Sequence, residues 1–397
     1  MLGVLAAALV AALLLARPWD DTIPVMRAST APETERSVSV DFAVVTDPST
    51  DWAALDRHLD TVGADGVDLN AGRVEFTAFD WAAHPEAAAE PGTDHIARAA
   101  RSLHEHSDGT TRQFGLIVDA YVPEWIKADP SIAGISADGR RSRYQASASQ
   151  LTSGPVGDRL VEYVAAVGER YDPSRISITE LFLGEYTFGA DDLALYREMA
   201  GADDWPRDAD GTVDEDSTEL EAWRAEVLAG LLGRMRDALD EVRDGAGSQI
   251  QLAVDVRPGW DGPPERSTAD GPALEILLGS ADRLVVWAYV GTDDGEEERD
   301  AQDVSTLTGR LEDDGVDMSR LTVSVGLWAG PTDASPPQSI SPEKMAEAVE
   351  AAASHGVDDV NVTPASLLTD AHWAALGEVW GAGGSSTPAA LSVPPVG

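Results

Sequence analysis

Eight times between residues 37 and 381, a short β-branched run gives way to a longer amphipathic stretch rich in Ala and Arg. The runs are SVSVDFAVV (37–45), GVDLNAGRVEFTAF (66–79), RQFGLIVDAY (112–121) and RISITELFLGEYTFG (175–189). They continue with QIQLAVDVRPGW (249–260), DRLVVWAYVG (282–291), LTVSVGLWAG (321–330) and VDDVNVTPAS (357–366). β-Branched runs of this length mark strands, and 3.6-residue periodicity between them marks helices. Strands joined by crossover helices lie parallel and are buried on both faces. Eight such units over about 345 residues predict a single (β/α)8 TIM barrel with insertions. A doubly wound sheet is the alternative. It usually carries a Gly-rich phosphate turn after its first strand, and neither that turn nor GxxxxGK[ST] occurs.

The barrel predicted over 37–381 is flanked by two other kinds of sequence. Residues 2–16, LGVLAAALVAALLLA, are unbroken apolar sequence followed by Arg17-Pro18 and Asp20-Asp21. That is short for a full span and fits a signal-peptide core or a membrane anchor; a buried helix is the bland alternative. Residues 17–36, with Pro18, Pro24 and Pro32, are expected to form a linker. The tail 382–397 is rich in Gly, Ser, Pro and Ala and is expected to be disordered. A secreted or extracytoplasmic protein is the expectation, touching membrane only through residues 2–16.

Composition narrows the chemistry. Cysteine is absent, so thiolate metal sites, disulfides and cysteine nucleophiles are excluded. The formal charge is −42, and Lys127 and Lys344 are the only lysines. Such a surface repels nucleic acid and anionic membranes; a neutral ligand such as a sugar is indifferent to it. His104 and His106 form an HxH pair at the end of a helical run, where the helix dipole favours them without any metal. Asp208, Asp210 and Gly211 echo a calcium loop but lack its terminal Glu. The acids of 201–219 and 293–300 are expected to face solvent. Asn361-Val362-Thr363 matches a glycosylation pattern inside a predicted buried strand, where it is fortuitous.

Parallel strands place chemistry at their C-terminal ends, and alternation along each strand predicts which side chains face inward. Gln251, Ala253 and Asp255 face in from the fifth strand, as do Thr322, Ser324, Gly326 and Trp328 from the seventh. Ser39 and Asp41 share a face in the first, Asp119 and Tyr121 in the third, and Trp287 and Tyr289 in the sixth. In the fourth, Glu180 falls in line with Ile176 and Ile178. The mouth is thus expected to gather Asp119, Glu180, Glu185 and Asp255 amid Tyr121, Trp125, Trp287, Tyr289 and Trp328. Flat aromatic faces with several carboxylates suit a sugar. Cleavage of a glycosidic bond needs two carboxyl groups in different protonation states. The bland reading pairs these carboxylates with Arg73 or Arg257, which also fall near the mouth.

Three segments carry a resemblance. ITELFLGEYTFGADDLALYREM with the following DWPR, LNAGRVEFTAFDW, and LIVDAYVPEWIKADPS resemble glycosyl-hydrolase-like barrels related to the hydrolase domains of poly-N-acetylglucosamine-processing proteins. The resemblance spans roughly residues 37–381. It implies a (β/α)8 fold, glycan binding or hydrolysis, and Asp119, Glu180 and Asp255 as the first catalytic candidates. Two patterns of related glycosidases are missing. Strand four carries Thr179-Glu180 where an Asn-Glu pair is usual, and strand seven ends Leu327-Trp328 without a carboxylate. DxxDxDxE is also absent.

The resulting expectation is a glycoside hydrolase acting on an extracellular or cell-envelope polysaccharide or oligosaccharide, needing no cofactor and no metal. Glu180 is the expected general acid, Asp255 the first choice of nucleophile or base, and Asp119 the second. Glu185, Tyr186 and Arg73 are expected to orient substrate, with Tyr121, Trp125, Trp287, Tyr289 and Trp328 as contacts. The rivals are a barrel that binds glycan without cutting it and a metal-dependent hydrolase.

Overall fold

The computed structural model of the chain describes residues 26, 34–241, 250–260, 272–291, 299–330 and 338–381. The segments 1–16 and 382–397, and the linker 17–36 apart from 26 and 34–36, lie outside the described residues. Among the described residues no helix is long and apolar enough to cross a membrane.

The eight predicted strands form one closed parallel barrel. They are β1 Arg36–Val40, β2 Gly66–Arg73, β3 Gln113–Asp119, β4 Arg175–Thr179, β5 Gln251–Val256, β6 Arg283–Ala288, β7 Leu321–Gly326 and β8 Asp359–Thr363. Each pairs with the next in sequence, and β8 returns to β1. Closure leaves no free edge. Helices cover the outside: α1 Trp52–Val62, α2 His95–Leu103, α3 Pro155–Tyr171, α4 Thr218–Glu241, α5 Pro272–Leu278, α6 Ala301–Asp313, α7 Pro342–Ala352 and α8 Asp370–Gly381. Ile176, Ile178, Leu252, Val254, Val323 and Val325 are fully buried in the apolar core that joins sheet and helices.

Several strands end earlier than their β-branched sequence suggests. After Val40 the chain turns into a short helix, Phe42–Thr46, because the Asp41 side chain caps it by accepting from Val44 N at 3.4 Å. After Arg73 the chain folds back, and Phe76–Thr77 pairs antiparallel with the end of β2. Gly72, at φ 101°, permits that reversal. The loop after β3 adds a hairpin, Ala133–Ile135 with Arg141–Ala146, and the one after β4 adds the helix Ala190–Ala200. Asp300, last of the acids expected to face solvent at 293–300, is exposed and also caps α6 through the backbone N–H groups of Gln302 and Asp303.

The inside of the barrel departs from the usual Val, Ile and Leu filling. Arg175 of β4 donates to Asp68 Oδ1 of β2 at 2.8 Å and to Glu35 Oε1 at 2.9 Å. Asn361 of β8 donates to Asp68 Oδ2 at 3.1 Å and to Ser37 Oγ at 2.8 Å. Its own Oδ1 accepts from Ser39 and Ser324, each at 3.0 Å. A Cβ on Gly115 would meet Asp68 Oδ1 at 1.7 Å, so only glycine leaves this carboxylate its place. Asn361 is 3% exposed and serves this network, not a glycan.

Removing one member of a buried ion pair strands the other, at a cost of roughly 3–5 kcal/mol. Asp68→Ala should therefore lower the unfolding free energy by about that much. Chemical denaturation checks it, and a loss below about 1 kcal/mol would mean that Glu35 alone answers Arg175.

Candidate active site

The C-terminal ends of the strands open into a cleft of about 1460 Å³. Register sets its carboxylates: Asp119 ends β3 beside Thr179 of β4, and Arg73 of β2 stands on its other side. Ile178 pairs with Val254, which brings the next residue of β5, Asp255, to the level of Thr179. Neighbouring strands are about 4.8 Å apart, so Asp119 and Asp255 flank β4 from either side. Glu180 follows β4 between them.

Strict alternation would turn Glu180 outward with Ile176 and Ile178. Its φ of 59° breaks the extended run and brings the residue to the cleft wall. A non-glycine residue in the left-handed region costs free energy, and here that cost accompanies the re-aiming of one carboxylate.

The three carboxylates have different surroundings. Asp119 Oδ2 accepts from Arg73 Nη2 at 2.8 Å, and Oδ1 from Tyr121 N at 2.8 Å. Burial nonetheless pushes it up to about 6, against the pull of Arg73. Asp255 is 8% exposed, accepts from Trp287 Nε1 at 2.8 Å and Ser177 Oγ at 3.3 Å, and also takes a hydrogen bond from the Thr179 hydroxyl. Burial pushes it up to about 7, and the charge of Glu180 adds to the shift. Glu180 Oε2 faces Arg257 Nη2 at 3.3 Å and is hydrogen-bonded to the Tyr121 phenol, which burial and then Glu180 itself hold above the usual tyrosine range.

An aromatic row joins these groups. The Arg257 guanidinium lies 4.1 Å from the ring centre of Phe182 and 4.0 Å from that of Trp287. Trp287 stacks on Tyr289 at 4.5 Å, and Tyr289 meets Trp328 at 5.3 Å. A Cβ on Gly326 would stand 2.3 Å from the Tyr289 ring, so this glycine at the end of β7 makes room for the row.

Of the residues expected at the mouth, Asp119, Glu180, Glu185, Tyr186, Asp255, Trp287, Tyr289 and Trp328 line the cleft. Three others do not. Trp125 lies on the short helix Pro123–Ala128, which turns its ring onto Arg159 of α3 at 5.2 Å. Tyr121 stands behind Glu180, its ring against Tyr144. Arg73 is engaged by Asp119, with the Phe76 ring 4.6 Å from its guanidinium. Trp287 reaches the cleft, but Arg257 and Tyr289 cover its indole, so it holds Asp255 and is no open sugar platform.

Sequence reasoning left out Asp41, Phe182 and Trp260, and named Arg257 only as a possible ion-pair partner; all four line the cleft. Asp41 was legible as an inward residue of the first strand, whereas nothing in the sequence brings Phe182 to Arg257. The 201–219 excursion, expected to be a solvated face, supplies Asp208, Asp214, Glu215 and Asp216 to the cleft wall. Its Asp-x-Asp-Gly segment is a tight turn, with Asp210 Oδ1 accepting from Thr212 N at 2.9 Å. His106 is paired with Asp60 at 3.1 Å. Among the described residues no three His, Cys, Asp or Glu side chains are grouped to hold a metal ion.

No family model matches the chain, and no curated sequence is similar to it. Solved structures are. The PgaB (BpsB) glycoside hydrolase domain from Bordetella bronchiseptica superposes with a TM-score of 0.63 at 15% identity, covering 87% of this chain and 99% of that one. The catalytic domain of β-amylase from Paenibacillus polymyxa gives 0.58 at 13%, covering 88% and 98%. A β-galactosidase from the psychrophilic Marinomonas ef1 gives 0.62 at 13%, covering 87% and 59%. At these identities the likeness establishes the fold: a (β/α)8 barrel of the kind that carries glycoside hydrolases. It does not transfer activity.

The raised position of Asp255 has a consequence for stability. Unfolded, its carboxyl titrates near 3.9; folded, at about 7. The folded state therefore holds a proton that the unfolded state has lost, and this contribution to stability falls as pH rises from about 4 through about 7. Asp255→Asn should raise the unfolding free energy measured by chemical denaturation, relative to the parent, more at pH 8 than at pH 5, by an increment on the order of a few kcal/mol. Equal effects at both pH values would mean that the folded state holds no proton there.

Proposed function

We propose that this chain is a glycoside hydrolase acting on an extracellular or cell-envelope polysaccharide by two-carboxylate acid/base catalysis. One observation carries the reading. Asp255, pushed up to about 7, interacts electrostatically across one strand spacing with Glu180, whose counter-charge is Arg257. Two carboxyls in unlike surroundings on one cleft wall are what acid/base cleavage of an acetal requires.

These surroundings favour the reverse of the roles expected from the sequence. Asp255 keeps a proton near neutral pH and is suited to give it to the leaving glycosidic oxygen. Glu180, facing a guanidinium and a phenol O–H, is suited to attack the anomeric carbon or take a proton from water. Asp119, tied to Arg73, adds charge beside Glu180 and is the second candidate for the acid. Tyr186, Glu185 and Trp328 offer contacts to sugar, and no cofactor is called for. Acidic side chains outnumber arginines along the cleft, which favours neutral or amine-bearing glycans over uronates. The apolar run 2–16 supports an extracytoplasmic location, with membrane contact through that run alone, and the net charge of −42 argues against nucleic acid.

The ion pairs Arg73–Asp119 and Arg257–Glu180 also support a second reading, a barrel that binds glycan without cutting it. Release of new reducing ends from cell-envelope polysaccharides separates the two. Glu180→Gln and Asp255→Asn should each lower kcat by about 10²- to 10⁴-fold while saturable binding persists. Full turnover in both variants would sink the assignment, and binding by the parent without any new reducing ends would make the second reading the better one.

A further inference from the structure

Beyond Tyr186 the wall of the cleft is assembled from three insertions: the hairpin after β3, the loop after β4 and the 201–219 excursion. Phe188 N donates to Ile135 O at 2.7 Å and fastens the loop to the hairpin, and a Cβ on Gly134 would stand 2.2 Å from Tyr186 O. Carboxylates line this wall. Asp138 comes from the hairpin, Glu185 from the loop, and Asp208, Asp214, Glu215 and Asp216 from the excursion. Arg140, which lines the same wall, is taken by Asp138 at 2.8 Å.

Arg224 of α4 stands among them, lining the cleft although it is only 8% exposed. Its Nε donates to the Thr187 hydroxyl at 3.1 Å and its Nη1 to the Glu215 carbonyl at 3.0 Å, with the Phe188 ring centre 5.4 Å from the guanidinium carbon. Glu215, Asp216 and Glu221 act on it through space, and no described carboxylate hydrogen-bonds to it. The placement works against a cation. Burial pulls its pKa down to about 10. Helix side chains also lean toward the N-terminus, so the guanidinium reaches Glu215, ahead of the first turn of α4, where the helix dipole disfavours positive charge. The third nitrogen, Nη2, makes no hydrogen bond among the described residues, yet it is not one of the atoms sealed in the interior. Two nitrogens hold the group rigid and one is left to donate.

The carboxylates of the wall decide what this donor takes. A uronate, sulfate or phosphate would meet one guanidinium and several like charges. An ammonium would be drawn to the carboxylates and repelled by Arg224. A neutral oxygen, such as a sugar hydroxyl or ring ether, meets neither penalty, and a charged donor bonds it more strongly than a neutral one does. The surrounding carboxylates then accept from the other hydroxyls of the same sugar. We propose that Arg224 is a sugar-binding residue, its Nη2 donating to a neutral oxygen of a glycan unit seated against Glu185 and Tyr186, to one side of Glu180 and Asp255. This rests on the glycan reading of the cleft and holds whether the barrel cuts the glycan or only binds it.

The test is binding. The full chain is laid on an array of neutral and uronic-acid oligosaccharides, and the tightest neutral binder is titrated against the parent, Arg224→Met and Thr187→Val. Arg224→Met keeps the apolar stem and removes the donors, and should weaken binding about 10- to 100-fold, the loss of a hydrogen bond from a charged donor. Thr187→Val removes only the inner partner of Nε and should stay within about threefold of the parent. Equal losses in both variants would mean that Arg224 merely joins the walls, and would overturn the contact, as would unchanged binding by Arg224→Met. Tighter binding of the uronic-acid oligosaccharides by the parent, lost in Arg224→Met, would make the group an anion site and overturn the neutral oxygen. Should Arg224→Met fail to fold, a crystal structure of the parent with the same neutral oligosaccharide decides. A sugar oxygen within hydrogen-bond distance of Nη2 is expected, and Nη2 facing only water or protein overturns the proposal. A parent that binds no oligosaccharide of either kind sinks the glycan reading and this contact with it, whereas a parent that binds and an Arg224→Met that binds equally sink the contact alone.

Discussion

A guanidinium on the axis of a closed barrel must be answered from the barrel's own strands. Arg175 is 3% exposed, and Asp68 and Glu35 answer it. That one charge dictates much of what surrounds it. Asp68 must reach the axis, so Gly115 on the next strand carries no side chain. The second oxygen of Asp68 needs a donor, and Asn361 supplies it from β8. The carbonyl of Asn361 then needs donors in turn, which Ser39 and Ser324 provide. Once the inside is polar it cannot be filled like an oil drop. The end that carries the cleft inherits a deep and largely polar floor.

Above that floor, Trp287 ties the two principal carboxylates together. Its indole N–H is given to Asp255, and its ring lies against the guanidinium that faces Glu180. The same side chain thus sets the position of one acid directly and of the other through Arg257. Phe182 and Trp287 form a corner of two perpendicular rings against the Arg257 guanidinium, which remains 41% exposed, so water still screens its attraction for Glu180. The distinction between the two carboxyls is therefore structural. One is buried among neutral donors, and the other is placed opposite a fixed cation.

The alternation of β-branched and amphipathic stretches was enough to read the barrel, because eight parallel strands with crossover helices have few other ways to close. Parity placed Asp255, Asp119, Trp287, Tyr289 and Trp328 at the mouth for the same reason: inside a strand the side-chain period is fixed. The reading weakened where strands ended. Glu180 reached the cleft through a left-handed backbone that no period reveals, and Trp125 was lost because Pro123 starts a short helix in the loop after the third strand, which turns the ring onto Arg159. Phe182 and the acids of the 201–219 excursion sit in loops, whose course depends on what they pack against. The pairings Arg73–Asp119 and Arg257–Glu180 were foreseeable as a bland alternative; Arg257 and Glu180 meet in the cleft wall, and Arg73 holds Asp119 from outside it.

The chain's uneven use of charge follows from the same architecture. With 70 acidic side chains against 28 basic ones, the surface is dominated by carboxylates. Nearly all the cations are arginine, and several lie deep: Arg112, Arg175 and Arg224 are 0%, 3% and 8% exposed. A guanidinium is weakly hydrated and presents a planar fork of donors, so it can be buried between carboxylates and backbone carbonyls where an ammonium could not. Arg112 shows this, bonding Asp56 and Asp60 at 2.9 and 2.7 Å. Cations spent inside leave the outer field negative and the cleft acidic. Asp255, by contrast, has the neutral donors Thr179, Trp287 and Ser177 around it and is faced by the charge of Glu180. The neighbouring charge that acts in the same direction as burial on Asp255 is that of Glu180.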